Sequence, residues 1–485
     1  MENKLVYDIH DKPKFGAMLV FALQQLLAIL AATIAVPTII GLPTQIPAAI
    51  LGAGIGTLVY QLFTKFGSPV FLGSSFAFLS SLGVAIAYGY CGIVLGSVVA
   101  GLVYVAIAII IHFIGTAWVD KLMPPIIIGP TVALIGLSLA GSAMGDIVKS
   151  NSSVKYGSYN LAALLCGLIA FITIIVCASQ KRVKMARLIP FIIGIATGYL
   201  AAAIFTLIGK ATGADYLMIV NFQPVINNFV NADGSFRGIS AFIDYPHLSF
   251  IEAVKELITG ELSPEILLAN KDAKLLDLGG ITEVVIAFLP VALVVFAEHI
   301  ADHKNLSSII GKDLIKEPGL KRTLLGDGVG SIAGTAFGIC PNTTYGESVG
   351  CVAITRNASI STITTTAIMC IVLSFISPIM AVLQTIPSCV MGGVCLTLYG
   401  FIAISGIKMF KNIDFEENKN MFVVAAILIS GIGGLVIKIP YAISEAGEIT
   451  NTIQITSIAT ALIIGIVANA ILTKVLNGKF GKEKE

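Results

Sequence analysis

The chain has 485 residues, 56% of them hydrophobic and 12% charged, with a net charge of +2. Soluble proteins carry about 25% charged residues, so a globule of this size would lack the polar surface to stay in water. A soluble multidomain enzyme, a disordered chain and a nucleic-acid binder with a basic field are excluded. What remains is an all-α polytopic membrane protein, its 48 glycines fitting close helix packing in lipid.

In chain order, residues 1–15 form a polar tail of mixed charge. The tail lacks the basic start and small-residue cleavage site of a signal peptide. Segments of about 20 apolar residues can cross the hydrocarbon, and such spans are predicted at 16–40, 46–64, 91–117, 124–142, 160–179 and 188–209. After a long loop at 210–279, more follow at 280–301, 323–340, 358–383, 386–407, 421–438 and 453–475, and 476–485 form a C-terminal tail. Segments 70–88 and 341–355 are unusual: they contain GSSFAF and PNTTYGE, with small and polar residues where Leu would be expected. Each reads as a short extended piece followed by a half-helix, which makes segments 3 and 10 of fourteen discontinuous. The eight cysteines form no CxxC pair and lie mostly in apolar stretches, as small buried hydrophobes.

The positive-inside rule supports this count. With the N-terminus in the cytoplasm and fourteen crossings, 22 of the 30 Lys and Arg fall on the cytoplasmic side. Five of the other eight lie in the long loop 210–279, and long loops are largely exempt. Both termini are therefore expected in the cytoplasm, the protein in the cell membrane, and loop 210–279 outside.

Three patterns recur at nearly one offset. Ala32 lies 266 residues before Glu298, Phe76 lies 269 before Tyr345, and Pro124, opening Pro124-x4-Gly129, lies 263 before Pro387, opening Pro387-x4-Gly392. Two seven-segment repeats follow, at 16–209 and 280–475. Seven is odd, so the second enters the membrane inverted. Inverted repeats with broken helices at the midplane are the signature of secondary transporters.

Ionisable groups in lipid are costly and usually functional. Here they cluster in the second half: Glu298, His299, Asp302 and His303 on one predicted helix, Asp327 on the next, Glu347 in the second odd segment. Glu298 and Asp302 share one helix face, as do His299 and His303. Glu298 follows the apolar run 286–297 and lies deepest; the plainer reading is a cytoplasmic helix cap. For His299 the plainer reading, a hydrogen-bonded interfacial histidine rather than a ligand, is preferred. His299-Ile-Ala-Asp302-His303 also has the spacing of an HxxDH metal site, but no separate third ligand is evident, so no metal or cofactor is expected.

Half-helices that start inside the membrane leave unpaired N–H groups and a positive dipole end. With Phe76, Tyr345, Glu298 and Glu347, the site fits a small planar ligand carrying both carbonyl and N–H groups. A neutral ligand of that kind cannot be concentrated by the membrane potential alone, so a cation must travel with it. A carboxyl can cross an apolar region cheaply only with a proton bound. Glu298 is the expected carrier, with Asp302, and with His303 or Asp327 as relays.

The segments QQLLAILAATIAVP at 24–37, FLGSSFAF at 71–78, PPIIIG at 124–129, VVFAEH at 294–299, GDG at 326–328, PNTTYGE at 341–347 and PSCVMGGV at 387–394 resemble the nucleobase–ascorbate transporter family, and within it the bacterial uracil permeases. The resemblance implies seven-plus-seven inverted repeats, segments 1–4 and 8–11 forming a core domain and 5–7 and 12–14 a gate domain. It implies proton-coupled uracil import across the cell membrane, usually by a homodimer embedded in lipid. It places Glu298 and Glu347 as substrate-binding carboxylates, Phe76 and Gly346 as backbone contacts, and Ala32, Tyr345 and Tyr399 as pocket walls.

Three departures stand out. The family's Gln-His pair in the first span is Gln24-Gln25, the signature Asn after the motif's Glu is Ser348, and Asp302 stands where the uracil permeases carry His, with His303 following. Asp at that place is similar to purine carriers of the family, so a xanthine or other purine symporter is the alternative. The alternative of another class is an intramembrane metal-dependent hydrolase using His299, Asp302 and His303.

Overall fold

The computed structural model describes residues 5–150, 159–231, 233–443 and 449–477. The first residues of the N-terminal tail and residues 478–485 of the expected C-terminal tail lie outside the described residues. Long helices dominate: α1 (Phe15–Ile39), α2 (Ile46–Phe63), α3 (Leu79–Ile86), α4 (Gly89–Ile114), α5 (Pro125–Asp146), α6 (Leu161–Ser179) and α7 (Pro190–Thr212). After the long loop come α10 (Leu278–Ile310), α11 (Leu320–Phe337), α12 (Gly346–Thr355), α13 (Ile360–Ser374), α14 (Ser388–Lys408), α15 (Asn418–Ile432) and α16 (Ser457–Asn477). Inside the loop, after a short helix at Gln223–Phe229, lie α8 (Ser249–Thr259) and α9 (Pro264–Ala269). Among the described residues nine helices are long and apolar enough to cross a membrane, and three shorter apolar ones accompany them.

Local chemistry sets the helix ends. The Asp277 side chain caps α10 by accepting from the Gly280 N–H at 2.6 Å, and Gly311, at φ 70°, ends it. Asn160 caps α6 through the Ala163 N–H at 3.0 Å. Charged or amide oxygens here take the N–H groups that no preceding turn can reach.

The two odd segments are extended and then helical, as expected. β1 (Leu72–Ser74) pairs antiparallel with β2 (Asn342–Thr344), with Gly73 opposite Thr343. A 3-10 turn at Phe76–Phe78 leads from β1 into α3, and Tyr345 leads from β2 into α12. Pairing the two strands with each other satisfies backbone groups that lipid could not.

The helices pack in two groups. One holds α1–α4, α10–α13 and the β1–β2 pair; the other holds α5–α7 and α14–α16. They meet where α10 touches α5 and α16, and where α1 touches α7 and α14. Glycine makes the closest helix pair possible: a Cβ on Gly52 of α2 would run into the Gly334 carbonyl of α11, and one on Gly56 into the Gly330 carbonyl at 2.8 Å. Both are small-xxx-small surfaces, which let helices gain dispersion contacts where lipid supplies no hydrophobic drive.

Two expectations change. The span at 358–383 is broken at Phe375–Ile376, and a separate helix covers Ser377–Gln384. The break is stabilised because the Asp244 N–H donates to the Phe375 carbonyl (3.1 Å) and the Ser377 N–H to the Phe242 carbonyl (3.1 Å), both from the long loop. The span at 421–438 ends at Ile432, before Gly433-Gly434, and β3 (Ile437–Ile443) pairs instead with β4 (Ile449–Ile455). The described part of the N-terminal tail is docked on the helices. The Val6 N–H donates to the Arg356 carbonyl (2.8 Å), the Ala358 N–H to the Tyr7 carbonyl (2.9 Å), and Lys312 pairs with Asp8 at 2.7 Å.

Candidate functional site

A small closed cavity lies where the β1–β2 pair, α10 and α12 face α5 and α14. Its lining includes Ser75, Phe76, Glu298, Asp302, Tyr345, Gly346 and Glu347 from one helix group, and Val132, Phe401, Ile402 and Ser405 from the other. Six of the residues singled out in the sequence are thus brought together. In this state the cavity is about 20 Å³, room for about one water, so a ring-sized solute requires the two groups to move apart.

Helix periodicity sorts the charged residues of α10. Glu298 and Asp302, one turn apart, face the cavity. Glu298 is half-buried and accepts no hydrogen bond among the described residues, whereas Asp302 accepts from the Thr344 hydroxyl at 2.6 Å. A Cβ at Gly346 would sit 3.9 Å from Asp302 Oδ1, so this side chain leans over the start of α12. Glu347, in the first turn of α12, is 8% exposed and its Oε1 has no partner; the Ser75 hydroxyl, 1% exposed, has none either. Buried polar atoms are nearly always hydrogen-bonded, so two unpartnered ones lining one cavity mark where a polar ligand belongs. No Lys or Arg pairs with Glu298, Asp302 or Glu347 among the described residues. The positive N-terminal end of α12 is the nearest counter-charge.

The other face of α10 carries a second polar layer. The His299 and His303 rings lie with centroids 4.1 Å apart, tilted by 30°. His299 Nδ1 meets Asp327 Oδ2 at 2.6 Å and its Nε2 meets Thr323 Oγ1 at 3.0 Å. The Tyr60 hydroxyl bridges His303 Nε2 and Ser68 Oγ, each at 2.8 Å. His303 and Asp327 therefore lie behind the cavity, not in it. Ala32, fully buried on α1, and Tyr399, 2% exposed on α14, also stand back from it. Tyr399 meets Phe76 edge to face, with centroids 5.4 Å apart. The Tyr345 hydroxyl donates to the Ser74 carbonyl at 3.1 Å and lies 3.4 Å from Thr33 Oγ1.

Residues 16–439 match the family described as the Permease family, of xanthine and uracil permeases. The chain belongs to this nucleobase–ascorbate transporter family. It is similar to the uracil permease of Bacillus caldolyticus, 36% identical over 475 residues, covering 97% of this chain and 95% of that one. It is also similar to the uracil permease of Bacillus subtilis (strain 168), 35% identical with 97% and 96% covered. In fold it is similar to murine Solute Carrier 26 family member A9, an anion transporter in the inward-facing state, with TM-score 0.62 at 11% identity, covering 97% of this chain and 70% of that one.

Members of the family are membrane permeases, so this permease is not an enzyme. The geometry agrees: His299 and His303 face Asp327 and Tyr60 while Asp302 points the other way to Thr344, so the HxxDH residues converge on no common point. His299 is hydrogen-bonded as expected, but it is fully buried rather than interfacial. Sequence reasoning missed Val132, Phe401, Ile402 and Ser405. Three of these are apolar residues in apolar spans, which carry no signal of their own; Phe401 and Ser405 share a face with one another.

Proposed function

We propose that this permease imports uracil across the cell membrane together with a proton. The reading rests on one observation: Glu298 and the unpartnered Glu347 Oε1 and Ser75 hydroxyl border the same cavity as Phe76 and Tyr345. A pyrimidine-dione presents ring N–H donors for the carboxyls and carbonyl acceptors for the hydroxyl and for backbone N–H groups at the start of α12. The names of the relatives support uracil as that ring. Asp302, the departure that pointed toward purines, is engaged by Thr344, which weakens the case for a larger purine.

Three carboxyls share this cavity without a basic partner. A proton bound among them removes charge that the interior solvates poorly, and a neutral solute needs a travelling cation to be concentrated. The topology that fits is fourteen crossings in two inverted seven-segment repeats, 16–209 and 280–475, with both termini in the cytoplasm and loop 210–279 outside. The helix group holding α10 and α12 would be the core domain, and that holding α5 and α14 the gate. Uptake of radiolabelled uracil into proteoliposomes tests the reading. An inward proton gradient should drive accumulation, a proton ionophore should abolish it, and xanthine should compete poorly. Accumulation driven by sodium at equal pH, or equal competition by xanthine, would overturn the coupling or the substrate respectively.

A further inference from the structure

The long loop is tied to both helix groups: near its start the Ile219 and Val220 N–H groups donate to Thr206 Oγ1 of α7, at 3.1 and 2.9 Å. Glu256 on α8, 2% exposed, accepts from the Cys91 N–H in the first turn of α4 at 3.1 Å. Glu265 on α9 accepts from Gln45 Nε2 at 2.8 Å and from the Tyr90 hydroxyl at 3.1 Å. Just beyond, Ala269 and Asn270 form the rim of a cavity of about 470 Å³. Its opposite walls are Ser80 and Gly83 of α3 and Ser138 and Ser142 of α5, so it lies between the two helix groups.

This cavity and the Glu298–Glu347 pocket are stacked along one cleft. The turn before α3 places Phe76 in the inner pocket while α3 places Ser80 in the outer cavity. Likewise α5 gives Val132 to the inner pocket and Ser138 to the outer cavity, about 9 Å apart along the helix axis. Phe76, in the wall of the inner pocket, meets Tyr399 edge to face, and the Tyr399 carbonyl lies against Gly136 of α5, between Val132 and Ser138. Among the described residues the outer cavity is lined by hydroxyls, one amide and aliphatic side chains, with no Lys, Arg, Asp or Glu in its walls. Such a lining offers hydrogen bonds but cannot compensate a desolvated charge, so it suits a neutral ring with carbonyl and N–H edges.

We propose that this cavity is an outer docking site that takes the neutral planar solute before the Phe76–Tyr399 contact opens, with Asn270, Ser138 and Ser142 as its specificity-determining residues. The proposal rests on the transport reading above and assigns the long loop a role as the rim of the entrance.

Ser142→Cys in the full chain tests it, using a membrane-impermeant methanethiosulfonate on intact cells, with the unsubstituted protein giving the background from native cysteines. Uracil should slow labelling along a saturating curve, about tenfold at roughly ten times the concentration that halves the rate. The same protection should persist when Glu298→Gln is added, because the outer site does not use that carboxyl. Protection that vanishes with Glu298→Gln, no protection at all, or no labelling of intact cells would each overturn the docking site. If Ser142→Cys fails to reach the membrane, Ser138→Cys, one turn away on the same wall, is read in the same way. Uracil uptake by the unsubstituted protein is measured in parallel. Protection without uptake would overturn the transport reading and leave the docking site standing.

Discussion

Gln25 on α1 donates its side-chain amide to the Ser348 hydroxyl on α12 at 2.5 Å, across 323 residues of sequence. These are two of the positions at which the chain departs from its family's pattern, and they bond to each other, next to Glu347. Removing one partner of a buried hydrogen bond costs about 1–3 kcal/mol, and removing both costs less than the sum. Gln25→Ala and Ser348→Ala should each lower the thermal stability of the purified protein, and the double variant should fall short of additivity. Additive losses would show that the contact carries no coupling.

Substrate affinity should depend on both pocket carboxyls. Glu298→Gln and Glu347→Gln each exchange a pure acceptor for a group that is half donor, opposite a ring N–H. At about 1–3 kcal/mol per stranded partner, uracil binding by calorimetry should weaken about tenfold or more in each. Undiminished binding in Glu298→Gln would remove it from the site.

Coupling should separate from binding at Asp302, in the pocket wall, and at Asp327, behind it. Asp327 holds His299 at 2.6 Å, and Asp302 is held by Thr344. Asp302→Asn and Asp327→Asn keep size while removing charge, so gradient-driven accumulation in proteoliposomes should drop further than equilibrium binding does. Equal losses in both assays would assign these residues to binding or folding alone.

Docking of the long loop should respond to pH through Glu256. Burial raises its carboxyl above the usual range, so the folded state binds this proton more tightly than the unfolded state. The contribution to stability is full below the ordinary glutamate pKa and is lost as pH rises through the raised value. Glu256→Gln should flatten that part of the pH profile of thermal unfolding in detergent. A profile unchanged from the parent would show that the carboxyl is not the titrating group.

Much of the membrane architecture is legible in sequence because lipid imposes a length and a composition on each span. The discontinuity of segments 3 and 10 is legible because GSSFAF and PNTTYGE put polar residues where hydrocarbon would reject them, and β1 and β2 lie there. The carboxylate face of α10 follows from i, i+4 spacing, and Glu298 and Asp302 do share the cavity. Local pattern could not show that His303 and Asp327 face the opposite way, since that depends on which neighbour α10 meets on each side. The cavity wall from α5 and α14 is equally silent, because Val132 and Phe401 look like any lipid-facing residue until a partner helix covers them. The β3–β4 hairpin and the break at Phe375 depend on contacts distant in sequence, which hydropathy does not register.

The β1–β2 pair joins two half-helices through main-chain groups, and its side chains are committed as well: Asn342 donates to the Gly52 carbonyl at 2.9 Å and Thr344 to Asp302 at 2.6 Å. A Cβ on Gly73 would run into the Tyr345 ring, so residues 72–74 and 342–344 cannot drift freely in identity while the helix ends keep their alignment. Proline is excluded there too, since it removes the N–H a ladder needs. A lineage that exchanged one cargo for another would therefore do so by substitutions around this joint, not in it.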